Sequence, residues 1–541
     1  MLILKKSIST KCKLLRELNK TLNFNQGNLE WDMIWKITKK ELLLNLMTFK
    51  FVAGTILCVI LMAVFMPVLV NDYQQRLKDY NANVTVTQTE LQKAREYYTI
   101  LFGWRHFIYR PPMILSVFGK GADYQIDNSV RIRVFDVPEL SAGSSEVNSY
   151  MSILPTLDIS LIFKIVVSVL ALMVACDVIS NEREQGTLKL MFSTSVARYQ
   201  VLLGKLLAGL ITLFIPVTIA FITGLLILQF SVMIDLTDGD WARIGVMYIA
   251  SLLFVLAMHN IGLLVSCITK RSSASFLLSS LFWMFFIIVV PNVSLHFATL
   301  IRPLEPEKIT EKYLQEIRER QQKEMQKLRK QIPWRGEIID IGESLGKFLW
   351  ICDQKGIEYR QKYYAAIEPL RIKHAEEKWE IKHTTVENLL KQKQFTNTLS
   401  WISPISLYDT VVSGLAGTDV YSCQDFIKSS RRYRREVIDY IRLKTDNFSL
   451  PCFFTPFDAV DTNILERYND PATDAEEVQR WKELKRAQAP PINLEDFPAF
   501  AWKPSVAGAI IRTIPNLLAL IIVSVLLFVL SFIVFLRYDV R

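Results

Sequence analysis

Few residue patterns in this chain carry catalytic meaning. Nucleotide phosphates are cradled by a glycine loop that ends in Lys and a magnesium-holding Ser or Thr. The nearest stretch, Gly342 to Phe348 (GESLGKF), is one residue short between its glycines and has Phe348 where that hydroxyl belongs. The five histidines, His106, His259, His296, His374 and His383, show no metal-ligand spacing and read as solvated side chains. No Ser-His-Asp arrangement can be assembled either, so the chain reads as a non-catalytic protein with no cofactor or metal of its own. The informative stretch is instead Asp177 to Lys205 (DVISNEREQGTLKLMFSTSVARYQVLLGK), a charged segment between apolar runs at Leu161–Ala175 and Leu206–Phe230. Glu182, Arg183 and Glu184 can orient such a segment, Gly186 lets the backbone turn, and Leu188, Met191 and Phe192 form an apolar face at helical spacing. A short amphipathic helix that docks on a partner needs this pattern; an isolated loop does not.

A second set of residues is polar inside apolar runs: Lys164, Pro216, His259 and Asn260. Intramembrane polar groups are functional hypotheses by default. Lys164 can snorkel outward, Pro216 can bend its helix, and His259 and Asn260 can either line a pathway or bond a neighbouring helix.

The elements that would position these residues are membrane helices. The chain has 541 residues, 51% of them hydrophobic, and a net charge of +10. Lys and Arg beside membrane spans account for that charge without nucleic acid. Six runs reach the ~20 residues that a bilayer requires: about 51–71, 158–178, 206–230, 242–268, 274–291 and 514–536. Some 48 mostly polar residues precede the first run, so it reads as an anchor and not a cleaved signal. Lys36, Lys39, Lys40, Arg183, Lys189, Arg198, Lys205, Lys270, Arg271, Arg537 and Arg541 gather on one side. Asp235, Asp238 and Asp240 occupy a short loop on the other. The basic side is cytoplasmic by this bias and holds both termini.

Residues 1–50 then form a basic cytoplasmic arm and, from Asn28 to Lys50, an interfacial helix with Trp31, Ile34, Trp35 and Leu42 on its apolar side. Segments 72–157 and 292–513 fall outside as two mainly helical extracytoplasmic domains. The first opens with a helical stretch, Tyr73–Tyr98, and includes an alternating run, Val130–Val137. The second contains an expected antiparallel pair of long charged helices, Glu305–Ile332 and Gly356–Lys393, with Pro369 as a kink in the latter. Lys and Glu alternate too evenly along these helices for a phosphate-tracking stripe. A basic amphipathic helix at Phe426–Tyr440 and a Pro-rich connector, Ala489–Trp502, complete the segment. The seven cysteines lack paired spacing. Cys58, Cys176 and Cys267 read as small hydrophobes, and one disulfide among Cys352, Cys423 and Cys452 is left unassigned.

The run Glu182-Arg183-Glu184, Gly186-Thr187-Leu188, Ser193, Arg198 and Gly204-Lys205 resembles the first cytoplasmic loop of ABC-2 type transporter permeases. The interfacial helix before the first span fits the same resemblance. So does Leu399–Asp419 (LSWISPISLYDTVVSGLAGTD), which is similar to a segment of permeases with an enlarged outer domain between spans five and six; there, spaced glycines suggest a helix that stops near the membrane surface. The resemblance implies an all-α polytopic membrane protein of the bacterial plasma (inner) membrane. It implies that residues 179–205 carry a coupling helix for a separate ATP-binding subunit, present in two copies and holding the ATP and Mg. Glu182, Arg183, Glu184, Gly186, Thr187, Leu188, Arg198 and Lys205 are the coupling residues on this reading. A homodimer or a heterodimer with a related permease, contact with membrane lipids and room for a periplasmic partner follow, with an exporter as the leading function. Two other readings stay open: an ATPase-coupled mechanotransmitter or receptor-like anchor that moves no solute, and a polytopic scaffold.

Overall fold

A computed structural model describes residues 31–94, 97, 100, 106–121, 128–133, 136–138, 158–193, 196–232, 234–304, 307–333, 338–339, 349–350, 354–445 and 492–537. Six helices are long and apolar enough to cross a membrane: Phe49–Gln92, Ile159–Glu184, Arg198–Gln229, Asp238–Ile268, Ser272–Ile301 and Val506–Leu536, here spans one to six. They run alternately up and down, so the 179–205 loop and the interfacial helix (31–46) share one end, the loop end. The long inter-span segments gather in a lobe at the far end. The all-α polytopic class expected from sequence is the observed one.

Local chemistry sets the helix starts. Thr237 caps span four by accepting from Asp240 N, with Asp238 and Asp240 in the first turn. Asp158 and Ser505 cap spans two and six in the same way. Span one differs from expectation. The polar stretch from Tyr73, expected as a separate helix, continues the span to Gln92. No Gly or Pro interrupts 71–92, and at 1.5 Å per residue a helix this long measures about 66 Å, twice a hydrocarbon core. Its upper half therefore projects into the lobe, where Arg76 reaches Ser116 at 3.0 Å.

Span four is the centre of the bundle. Its Phe254 and span two's Phe163 sandwich Tyr408, with ring centroids 4.7 and 6.0 Å away, and Ser251 meets the Tyr408 hydroxyl at 3.2 Å. Tyr408 belongs to a short helix, Pro404–Ala416, capped by Ser403 and closed at Gly417 (φ 72°). The spaced glycines do end this helix, at Gly417, where Arg243 from the second turn of span four donates to Leu415 O. Leu407, Tyr408, Val411, Val412 and Leu415 are all buried, and that continuous apolar face draws the helix down between the spans. Two spans carry π-helical turns beside it, Phe163–Val167 in span two and Phe285–Val289 in span five. Pro291, which lacks an N–H, follows the second.

In the lobe, Glu307–Gln331 and Gln354–Leu399 form the expected antiparallel pair, and the second helix runs on through Pro369. Arg329–Tyr363, Glu324–His374 and Arg320–Glu377 are successive rungs between them. A third helix, Val420–Lys444, packs on the pair through Glu376, which binds Arg431, Arg434 and Arg435, and through Glu368–Arg442. Of the alternating run, Ser129–Arg131 forms a strand antiparallel to Phe107–Tyr109. Phe426 with Phe500 and Trp502 forms the lobe's aromatic core, and Ile492 N donates to Ala94 O, tying the Pro-rich connector to the end of span one. The basic arm before residue 31, the Gly342–Phe348 stretch, Cys352 and Cys452 lie outside the described residues.

Candidate functional site

The 179–205 segment folds as two short helices, Ser180–Glu184 and Thr187–Phe192, joined at Gly186. Gly186 has φ 74°, a conformation that costs an L side chain energy and glycine little. That turn folds the second helix back so that Leu188 is completely buried, with Met191 and Phe192 packed beside Phe535 of span six. The apolar face expected from the sequence thus seals the loop onto the bundle.

The charged residues also turn inward. Lys205, only 2% exposed, lies between Glu182 of the loop at 2.7 Å and Glu41 of the interfacial helix at 3.1 Å. Arg183 donates to the carbonyls of Thr269 and Cys267 at 2.8 and 3.1 Å, capping the end of span four. Glu184 accepts from Ser272 N at 2.9 Å at the start of span five. Arg198 stacks on Phe192 and donates to Leu536 O of span six. Lys50 of span one pairs with Asp177 at 2.5 Å. Thr38 of the interfacial helix donates to Gly204 O at 3.2 Å. Each charge fastens the loop to a different element. Outward-facing are Asn181, Glu184, Gln185 and Gly186 around the turn and, on the far side of the second helix, Thr187, Lys189 and Leu190, the last 70% exposed.

The polar residues within spans take three different places. Lys164 lies in the π-helical turn and pairs with Asp409 at 2.6 Å, through the oxygen that also accepts from Ser160 nearer the start of span two. Pro216 is buried within a span three that continues past it. His259 is completely buried against span three, where a Cβ added at Gly209 would stand 2.2 Å from its Nε2. Asn260 donates to Ser524 O of span six at 2.9 Å. The loop residues come together; these four do not join them.

The expectation of solvated histidines is corrected at three positions. His106 and His374 are buried in the lobe and His259 in the bundle. Apolar or helix-packing neighbours surround each one, a feature that spacing in sequence cannot report. His374 Nε2 lies 2.7 Å from Glu324, while burial pushes the His106 imidazole down to about 4. Cys423 is buried and receives a hydrogen bond from Arg110 at 3.1 Å. Among the described residues no group of His, Cys, Asp and Glu is arranged to hold a metal. Sequence reasoning missed Glu41 and Asp409, the partners of Lys205 and Lys164. A signal existed for both: each is an acid beside apolar residues, in KKELLL and SLYDTVV.

An apolar six-span bundle, an interfacial helix packed on the start of span three and a folded, internally bonded loop define a polytopic membrane protein of transporter type. The family model of the ABC-2 family transporter proteins matches residues 35–540, and the chain belongs to that family. No curated protein sequence matches it.

Proposed function

We propose that the chain is the permease subunit of an ABC exporter, driven by a separate ATP-binding subunit that docks on the 179–205 loop. The observation that carries this reading is the division of the loop. One side is bonded to the interfacial helix and to the ends of spans three to six, and the other side presents Thr187, Lys189 and Leu190. A push on the exposed side would be delivered to most of the bundle at once. On this reading Glu182, Arg183, Glu184, Arg198 and Lys205 transmit force, while the exposed residues make the contact. ATP and Mg reside on the partner, two copies of which act on two permease halves, identical or related. The loop end faces the cytoplasm with both termini, in keeping with its basic residues, and the lobe stands outside the bacterial plasma membrane, where a periplasmic partner could reach it.

A second reading, a mechanotransmitter that moves no solute, draws support from the filled seam inside the chain. Tyr408 packs between Phe163 and Phe254, and Trp283 of span five donates to Ser168 of span two at 2.8 Å. Co-purification of the tagged chain in detergent tests the docking. An ATP-binding protein with its own phosphate loop should accompany the native chain and be lost from Leu190→Asp, with folding intact. Equal recovery with both chains would refute the assignment.

A further inference from the structure

The two long lobe helices, Glu307–Gln331 and Gln354–Leu399, are tied together unevenly along their length. Arg329–Tyr363, Glu324–His374 and Arg320–Glu377 follow one another toward the end nearest the spans. At that end Gln392 donates to Arg302 O at 2.8 Å, and Arg302 stacks on Phe395. Between the last rung and this base the first helix supplies Ile317, which is buried, and then Tyr313. A cavity of about 230 Å³ opens there. Its apolar lining is Leu304, Tyr313 and Ile381, and its polar lining is Glu380, Thr384, Thr385 and Asn388. Glu380 and Thr384 are exposed and Tyr313 is half exposed, so the cavity is open to solvent.

The polar lining is rich in acceptors and short of donors. Thr384 and Thr385 spend their hydroxyl protons on the carbonyls of Glu380 and Ile381, at 2.8 and 3.1 Å. What those hydroxyls offer the cavity is lone pairs. The Glu380 carboxylate can only accept when ionised, and among the described residues it has no ion-pair partner. The neighbouring carboxylates differ: Glu377 meets Arg320, and Glu376 is held by three arginines. Only the Asn388 amide and the Tyr313 hydroxyl can donate inward.

We infer that this cavity is a binding site for a small organic ammonium, its charged head on Glu380 and its apolar body against Leu304, Tyr313 and Ile381. An ammonium brings three donors, no acceptor and the opposite charge, which is what the lining lacks. Size limits the body. Sites for drug-sized ligands run to about 300–1,000 Å³, so a cavity of about 230 Å³ takes one ring or a short alkyl chain. The site belongs to the lobe alone and rests on neither the exporter reading nor the docking of an ATPase.

Saturation-transfer NMR on the purified full chain in detergent tests it, with empty micelles as background. The probes are phenethylammonium and hexylammonium, set against phenethyl alcohol and phenylacetate. At least one ammonium should bind saturably, the alcohol about ten-fold or more weakly, and the carboxylate not at all. Glu380→Gln, an exposed change that keeps the shape of the side chain, should weaken the ammonium about ten-fold or more. Glu387→Gln, on the same helix but outside the lining, should leave it unchanged. No saturable binding by either ammonium, equal binding by the alcohol, or full binding to Glu380→Gln would overturn the inference. The comparison among probes needs no variant.

Discussion

Two clusters of charge, one at each end of the molecule, are built on opposite principles. At the loop end, Lys205 is sunk between Glu41 and Glu182, carboxylates from two other elements, with little water nearby. In the lobe, Glu376 gathers Arg431, Arg434 and Arg435, three cations of a single helix, and Arg435 is 52% exposed. The first arrangement joins separate parts of the chain through one buried ammonium. The second distributes a contact between two helices over several replaceable partners. A machine that must pass a displacement from a surface loop into a membrane bundle needs the first kind of joint where the displacement enters.

The largest expected effect breaks that contrast at its stronger side. Lys205→Ala leaves two carboxylates buried without a counter-charge, at a cost of about 3–5 kcal/mol, and thermal unfolding in detergent should fall by many degrees. Adding Glu41→Gln and Glu182→Gln should recover most of the loss. Arg435→Ala in the lobe should cost less than about 1 kcal/mol, because the residue is half exposed and two arginines remain on Glu376. Equal losses at both ends would erase the distinction.

Next in size is Gly209→Ala. The added methyl meets His259 within the bundle core, an overpacking expected to cost about 1–3 kcal/mol. The same melting assay should show the loss relieved by pairing the change with His259→Ala.

A further effect is a pH dependence confined to the lobe. Burial holds the His106 imidazole at about 4, against 6.5 for an unperturbed histidine. The unfolded chain therefore takes up the proton first on acidification. The stability contributed by neutral His106 is full above pH 6.5 and is lost as pH falls toward 4. Glu376 follows at lower pH. Burial pushes its carboxyl up, but the hydrogen bonds and charges of Arg431 and Arg435 outweigh that and hold it at about 2. Its contribution is present above the ordinary 4.5 and fades as pH falls toward 2. His106→Phe should flatten the first step and leave the second, as followed by tryptophan fluorescence.

Much of the architecture was legible in the sequence because a bilayer forces long uninterrupted apolar runs. All six spans lie where hydropathy places them and Gly186 makes the expected turn, but the loop's apolar face, expected on a helix that docks on a partner, packs on span six of its own chain. The errors arise where tertiary partners decide. Nothing local tells that Tyr73–Gln92 prolongs span one, since a polar helix can continue a span as readily as it can start anew. The Leu399–Asp419 segment reads as a helix stopped by its glycines, but that its buried face finds spans two and four is decided by tertiary contact. The loop charges illustrate the same limit: Glu182, Arg183 and Glu184 look like a docking surface in sequence, and only the positions of Lys205 and Thr269 turn the first two inward, while Glu184 stays exposed with its bond to Ser272 N.

On the proposed function, the outward side of the loop is the contact with an ATP-binding subunit. A photo-crosslinking amino acid placed at Leu190, in membranes from cells expressing the native partner proteins, tests it most directly. An ultraviolet-dependent adduct to an ATP-binding protein is expected from position 190 and none from position 188, which is buried. An adduct from neither position, or adducts only to lipid, would contradict it.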